Sequence, residues 1–251
     1  MKIPSFVLIT GASSGLGEAL AREYGALGVS LYLTGRDEER LNAVAQECRA
    51  KGARVSTHLI DVTDYDAMEA LIDQIEARVP LDLVIANAGI GETLTRDMDI
   101  GDHVYKIFNT NVDGVLATVN PALTYMRARQ QGQVAIVSSL LGYFGVGSTL
   151  AYAASKNAVR AYGQGLRQYL EPENIQVSVI CPGFVRTPMT DKNDFSMPFI
   201  VEPAKAAHLI RIKLAYNRGQ ISFPWQLSWL MGLLALLPPG ARDWIARRLG
   251  S

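Results

Sequence analysis

Tyr152 and Lys156 stand four positions apart in the run STLAYAASKNAV, residues 148–159. On a helix that spacing places both side chains on one face, about one turn apart, so an ammonium lies beside a phenol. A free tyrosine, with a pKa of about 10, rarely gives up its proton at neutral pH. A fixed positive charge next to it favours the phenolate and moves it toward the working range of a general acid/base. The pair alone is weak evidence, because lysine stems cover tyrosine rings on many helices. Ser139, upstream at the end of the apolar run QVAIVSS, adds a hydroxyl, although a serine at a strand end commonly serves as a cap or turn former.

A second constellation suits an anion. The first apolar run, SFVLIT, leads into TGASSGLG, Thr10 to Gly17, and then into a helical pattern. Gly11, Gly15 and Gly17 permit a tight turn, close approach to a pyrophosphate and close helix-on-strand packing, with Ser13, Ser14 and Leu16 between them at the helix N-terminus. The spacing is GxxxGxG. The GASSG core also fits the GxSxG nucleophile elbow of hydrolases. Only ten residues precede it, however, and none of His58, His103 and His208 sits in an evident triad setting, so dinucleotide binding is the better reading.

The elements that must position these groups are legible as an alternation. Short runs rich in apolar residues (SFVLIT, VSLYLT, RVSTHLI, LDLVIA, QVAIVSS, IQVSVIC and QISF) are separated by helical patterns over 16–27, 37–50, 64–78, 102–129, 152–170 and 203–216. Strands apolar nearly throughout are buried on both faces, and helical connections let successive strands run parallel. The expectation is an α/β doubly wound parallel sheet of about seven strands. No linker, repeat or low-complexity tract interrupts it, so 1–251 reads as a single domain with 223–251 as a C-terminal extension. Lys plus Arg equal Asp plus Glu at 24 each, which gives no net field for nucleic acid. Cys48 and Cys181 suggest neither a disulfide framework nor a metal cluster, and the short apolar start lacks a secretory pattern, so a cytoplasmic setting is expected.

Six motifs in order, TGASSGLG, Asn87-Ala88-Gly89, Asn111, Ser139, Tyr152xxxLys156 and PGFVRT from Pro182 to Thr187, together resemble the short-chain dehydrogenase/reductase family over roughly residues 5 to 222. Ser139 lies 13 positions before Tyr152, as in that family. The resemblance implies a Rossmann-type fold and an oxidoreductase acting on a carbonyl or secondary alcohol. It implies that Tyr152 moves the proton and Ser139 bonds the substrate oxygen. Lys156 would hold the nicotinamide ribose and, aided by the positive ring of the oxidised cofactor, favour the phenolate, while Asn111 holds a water in a proton relay. It also places Asp61 and Val62 at the adenine, Asn87, Ala88 and Gly89 at the adenosine ribose, and Pro182, Gly183, Val185 and Thr187 near the nicotinamide.

Strand two ends LYLTGRDEERL. Where a dinucleotide fold presents an acid to the ribose 2′-hydroxyl, this chain has Gly35, followed by Arg36, a planar cation suited to a 2′-phosphate, so NADP(H) is expected over NAD(H). Leu141, Tyr143 and Phe144 after Ser139, with Phe184 opposite, are expected to contact an apolar small-molecule substrate, together with Ser139 and Tyr152 themselves. Residues 189–202 read as an irregular lid. Residues 225–237 are apolar on all sides of any helix they form, which calls for burial over the cleft or against another subunit. The segment is too short to span a bilayer, and insertion of 224–249 into a membrane surface, aided by Arg242, Arg247 and Arg248, is the alternative. Small residues along 152–170 fit association as a homodimer or homotetramer, as is frequent in the family. The rival from another functional class is a regulator or scaffold that binds NADP without turnover.

Overall fold

The computed structural model describes residues 4–145, 147–192, 196–241 and 244. Seven parallel strands form one sheet in the order β3-β2-β1-β4-β5-β6-β7. They span β1 Phe6–Ile9, β2 Ser30–Gly35, β3 Arg54–Leu59, β4 Leu83–Ala86, β5 Gly132–Val137, β6 Ile175–Pro182 and β7 Gln220–Phe223. The helices are α1 Gly15–Gly25, α2 Glu38–Ala50, α3 Tyr65–Glu76, α4 Ile100–Phe108, α5 Gly114–Arg129, α6 Leu150–Leu170, α7 Pro203–Ala215 and α8 Trp225–Leu236.

Side-chain alternation along the central strands feeds two separate cores. Val7 and Ile9 of β1 join Leu20 and Tyr24 of α1, Val44 of α2 and Ile210 of α7 on one face. Leu8 between them joins Met68 and Ile72 of α3, Val119 and Met126 of α5 and Val159 of α6 on the other. This double coverage is why β1, β4 and β5 read as nearly continuous apolar runs. β3, an edge strand, alternates exposed and half-buried residues instead. The chain reverses direction across the sheet between β1 and β4, which β1 pairs on the side opposite β2. Such a switch point opens a crevice beyond the strands' C-terminal ends.

One element differs from the expectation. The pattern over 102–129 is two helices, α4 and α5, joined by a π-helical turn at Asn109–Asp113 that carries Asn111. Hydrophobic periodicity cannot register a one-residue change in helical winding, so the sequence read as continuous. The apolar helix α8 is buried on one side only. Leu227, Met231 and Leu234 pack on the Leu140–Val179–Cys181 cluster, while Trp225, Trp229, Leu233 and Leu236 are exposed. Among the described residues no helix is long and apolar enough to cross a membrane.

Candidate active site

The glycine loop joins β1 to α1. Gly11 (φ 65) and Gly15 (φ 58) adopt left-handed conformations. A Cβ on Gly11 would stand 2.8 Å from Ala88 Cα, and one on Gly17 only 2.2 Å from the Gly11 carbonyl oxygen. The loop is stitched to the chain after β4: Asn87 Nδ2 donates to the carbonyls of Thr10 (2.9 Å) and Gly11 (3.3 Å). Thr10 Oγ1 in turn accepts from the amides of Asn87 and Ala88, both at 3.1 Å. Ser14 is the N-cap of α1 and makes no side-chain capping bond. Ser13, Ser14, Gly15 and Leu16 therefore present a helix N-terminus, with its partnerless amides, to a groove of about 450 Å³. Every residue expected to contact the cofactor lines this groove except Gly17, which packs beneath the loop.

One end of the groove is polar. Gly35, Arg36, Asp37 and Arg40 line it with Asp61 and Val62. Arg36 Nη1 lies 3.4 Å from Asp61 Oδ2, and Arg40 Nε 3.3 Å from Asp37 Oδ2. Both are exposed pairs, which hold little energy and leave the guanidiniums available to a better anion. Burial pushes the Asp61 carboxyl up, but hydrogen bonds from Thr63 and the Arg36 guanidinium carry it below its ordinary range. Arg40 was not singled out in the sequence. Its place four residues beyond Arg36, in the first turn of α2, was the available signal.

At the other end Ser139, Tyr152 and Lys156 meet. The end of β5 fixes both ends of Lys156: Val137 O accepts from its Nζ (3.0 Å), and Ser138 Oγ donates to its carbonyl (2.7 Å). Lys156 is 3% exposed, with its Nζ 5.8 Å from the Tyr152 ring centroid. The Ser139 hydroxyl acts to lower the Tyr152 phenol, and its Oγ accepts from the Leu141 amide (3.1 Å). Asn111, wholly buried in the π turn, accepts from the Ile90 amide (2.8 Å) and donates to Ile90 O (2.9 Å) and Ser155 Oγ (3.0 Å). Ser155 Oγ then donates to Tyr152 O (2.8 Å). Asn111 thus fixes the chain after β4 against α6, with both Nδ2 hydrogens engaged. Ser155, adjacent to Lys156, escaped the sequence reading because small helical residues carry no pattern.

The electrostatics of the chain alone set the starting point for the proton. Burial pushes the Tyr152 phenol up, and the Ser139 hydrogen bond opposes it only in part. Burial also pulls the Lys156 amine down, to about 8. The lysine therefore does not by itself make the tyrosine acidic. Desolvation disfavours the charged form of each, and the amine's hydrogen bond goes to a backbone carbonyl.

The expected substrate residues divide. Ser139 and Tyr152 line the groove, whereas Leu141, Tyr143, Phe144 and Phe184 are absent from its lining among the described residues. Tyr143 points at β7, its hydroxyl 3.2 Å from Ser222 Oγ and its ring 4.6 Å beneath the Arg160 guanidinium. Leu141 and Phe144 pack with it against the cluster under α8. Of the irregular stretch 189–202, residues 193–195 lie outside the described residues, as does Val146. Met189 belongs to the site instead. It lines the groove, and its Sδ and Tyr152 Cε2 both face Gly91, where an added Cβ would stand 3.1 and 3.6 Å from them. Among the described residues no cluster of His, Cys, Asp or Glu is arranged to hold a metal.

Comparison with known proteins agrees with this geometry. Residues 5–196 match the short chain dehydrogenase family. An uncharacterized oxidoreductase of Myxococcus xanthus is 38% identical over 243 residues, 96% of each chain. The actinorhodin polyketide ketoreductase, solved with NADPH, superimposes with a TM-score of 0.79 at 27% identity, over 89% of this chain and 97% of that one. A 3-oxoacyl-[acyl-carrier protein] reductase from Brucella melitensis, solved with NAD, gives 0.75 at 25% identity, over 86% and 88%.

Proposed function

Because the chain belongs to the short chain dehydrogenase family and is an NAD(P)-dependent oxidoreductase, we propose that it interconverts a hydrophobic carbonyl compound and its secondary alcohol, with NADP(H) preferred and Tyr152 as general acid/base. The observation that carries this reading is the convergence of Ser139, Tyr152 and buried Lys156 at the closed end of a groove whose other end presents Arg36 and Arg40. A bound nicotinamide nucleotide supplies the hydride donor or acceptor.

The chain's own groups do the rest. Ser139 Oγ donates to the substrate oxygen and holds it beside the phenol, a positional contribution. In the reducing direction Tyr152 gives its proton to that oxygen; in the oxidising direction the phenolate takes the alcohol proton. Lys156, with an amine pulled to about 8, is still mostly ammonium at neutral pH and stabilises the phenolate each time it forms. Asn111 and Ser155 keep the chain after β4 and the Tyr152 carbonyl in register. Met189, in the groove lining beside Gly91, adds an apolar surface near Tyr152.

The cofactor preference rests on Gly35 and Arg36: with no acid at that strand tip, a 2′-phosphate meets no repulsion and can accept a bidentate guanidinium. The solvent-facing small residues Ala154, Ala158, Ala161 and Gly165 of α6 support close packing against a second copy, as dimer or tetramer. The deciding experiment is a panel of carbonyls and alcohols followed at the nicotinamide absorbance. Turnover by the native protein, with loss of at least about 100-fold in kcat and unchanged NADPH affinity for Tyr152→Phe, is the expected result. Tight NADPH binding with no turnover anywhere in the panel overturns the reading in favour of a non-catalytic NADP-binding regulator.

A further inference from the structure

Helix α8 lies against the groove's end with an internal division of labour that its composition hides. Leu227, Met231 and Leu234, spaced i, i+4, i+7, sit on the Leu140 cluster. The opposite stripe, Trp225, Trp229, Leu233 and Leu236, is 69%, 70%, 58% and 82% exposed. From Gly219 to Ala241 the sequence holds no Asp, Glu, Lys or Arg. All three tryptophans of the chain fall between 225 and 244, and each is more than half exposed. An apolar strip of this kind on a monomer marks an interaction surface.

Charge identifies what it meets. Residues 203–251 contain seven Lys and Arg against one acid, Asp243, in a chain whose total is neutral. Three of those cations, Arg242, Arg247 and Arg248, follow the helix directly. A second copy would bring the same sequence, with its seven cations against one acid, and so offers these cations no complementary charge. An anionic lipid surface satisfies strip and cations together, because indole rings favour the headgroup boundary and arginines favour lipid phosphates. At 12 residues, about 18 Å, the helix is suited to lie in that boundary and too short to cross it. We propose that the exposed face of α8, with the basic sequence after it, docks this enzyme peripherally onto anionic membranes.

The tryptophan distribution makes the test label-free, since all indole emission comes from this segment. Full-length protein is mixed at low salt with vesicles of phosphatidylglycerol and phosphatidylcholine, and with vesicles of phosphatidylcholine alone. Expected are a blue shift of emission and co-sedimentation with the anionic vesicles, both reversed by salt. Trp229→Gln combined with Leu233→Gln is expected to weaken vesicle binding at least about tenfold while NADPH binding is retained. Absence of shift and sedimentation overturns the proposal. Equal binding to the zwitterionic vesicles overturns the anionic assignment. A concentration-dependent shift without vesicles, accompanied by a doubled mass in light scattering, overturns it in favour of a second copy.

Discussion

Replacing Lys156 by methionine separates what the buried amine costs from what it does. The amine titrates near 8 in the folded protein against 10.5 ordinarily. At about 1.36 kcal/mol per pKa unit, its protonated form costs the native state about 3 kcal/mol at neutral pH. The direction follows from proton counting: between about 8 and 10.5 the unfolded chain binds a proton that the folded chain has released. Stability therefore rises with pH through that window, and the full cost applies below it. Lys156→Met removes this pH-dependent part. The Cys181 thiol, pushed up to about 11 and interacting with the amine, stays protonated across the window and adds little. Urea unfolding of cofactor-free protein, followed by circular dichroism from pH 7 to 9.5, is the assay. The wild type should gain roughly 2 kcal/mol on the variant across that range, while the variant loses turnover. A stability difference that stays constant with pH would refute the claim that burial depresses the amine.

Arg36→Ala should raise the KM for NADPH about tenfold or more while leaving that for NADH nearly unchanged, because a charge-assisted bond to the 2′-phosphate is absent from the second cofactor; steady-state kinetics with both cofactors checks this. Gly17→Ala sets a Cβ 2.2 Å from the Gly11 carbonyl oxygen and 2.5 Å from Asn87 Nδ2. Backbone must move, so a loss of about 1–3 kcal/mol in denaturant stability and weaker NADPH binding by fluorescence titration are expected. Ser155→Ala deprives the Asn111 amide of one partner and frees the Tyr152 carbonyl. It should cost about 1–3 kcal/mol of stability and lower kcat more than it raises KM.

The sequence carried the sheet because strands buried on both faces announce themselves, as LVIA in β4 does, and it carried the glycine loop because Gly11, Gly15 and Gly17 meet backbone requirements that other residues cannot. It carried Ser139, Tyr152 and Lys156 through spacing and family resemblance. Whatever depended on which side of an apolar stretch faces a neighbour stayed hidden. Leu141, Tyr143 and Phe144 follow Ser139 directly, yet a short 3₁₀ turn at Leu140–Tyr143 carries them toward β7 and α8. Met189 joins the groove lining from a stretch with no periodicity. The break between α4 and α5 was silent for a related reason: π winding at Asn109–Asp113 changes a backbone hydrogen-bonding pattern and leaves the composition untouched.

The burial that shifts Tyr152 and Lys156 is itself built from close backbone approaches. A Cβ on Gly89 would stand 3.1 Å from both Lys156 Nζ and Asn111 Oδ1, and one on Gly142 only 2.7 Å from the Lys156 carbonyl carbon. Glycines on either side thus let two loops close over the lysine and exclude water from it. With Val137 and Ser138 holding its two ends, the position of the amine follows from the contact between β5 and α6. The stretch after Pro182 and helix α8 take no part in these contacts, so on the proposed function substitutions there should leave the pair in place. On the proposed function the proton chemistry thus sits on sheet and helix, and substrate selection falls to the segments after β6.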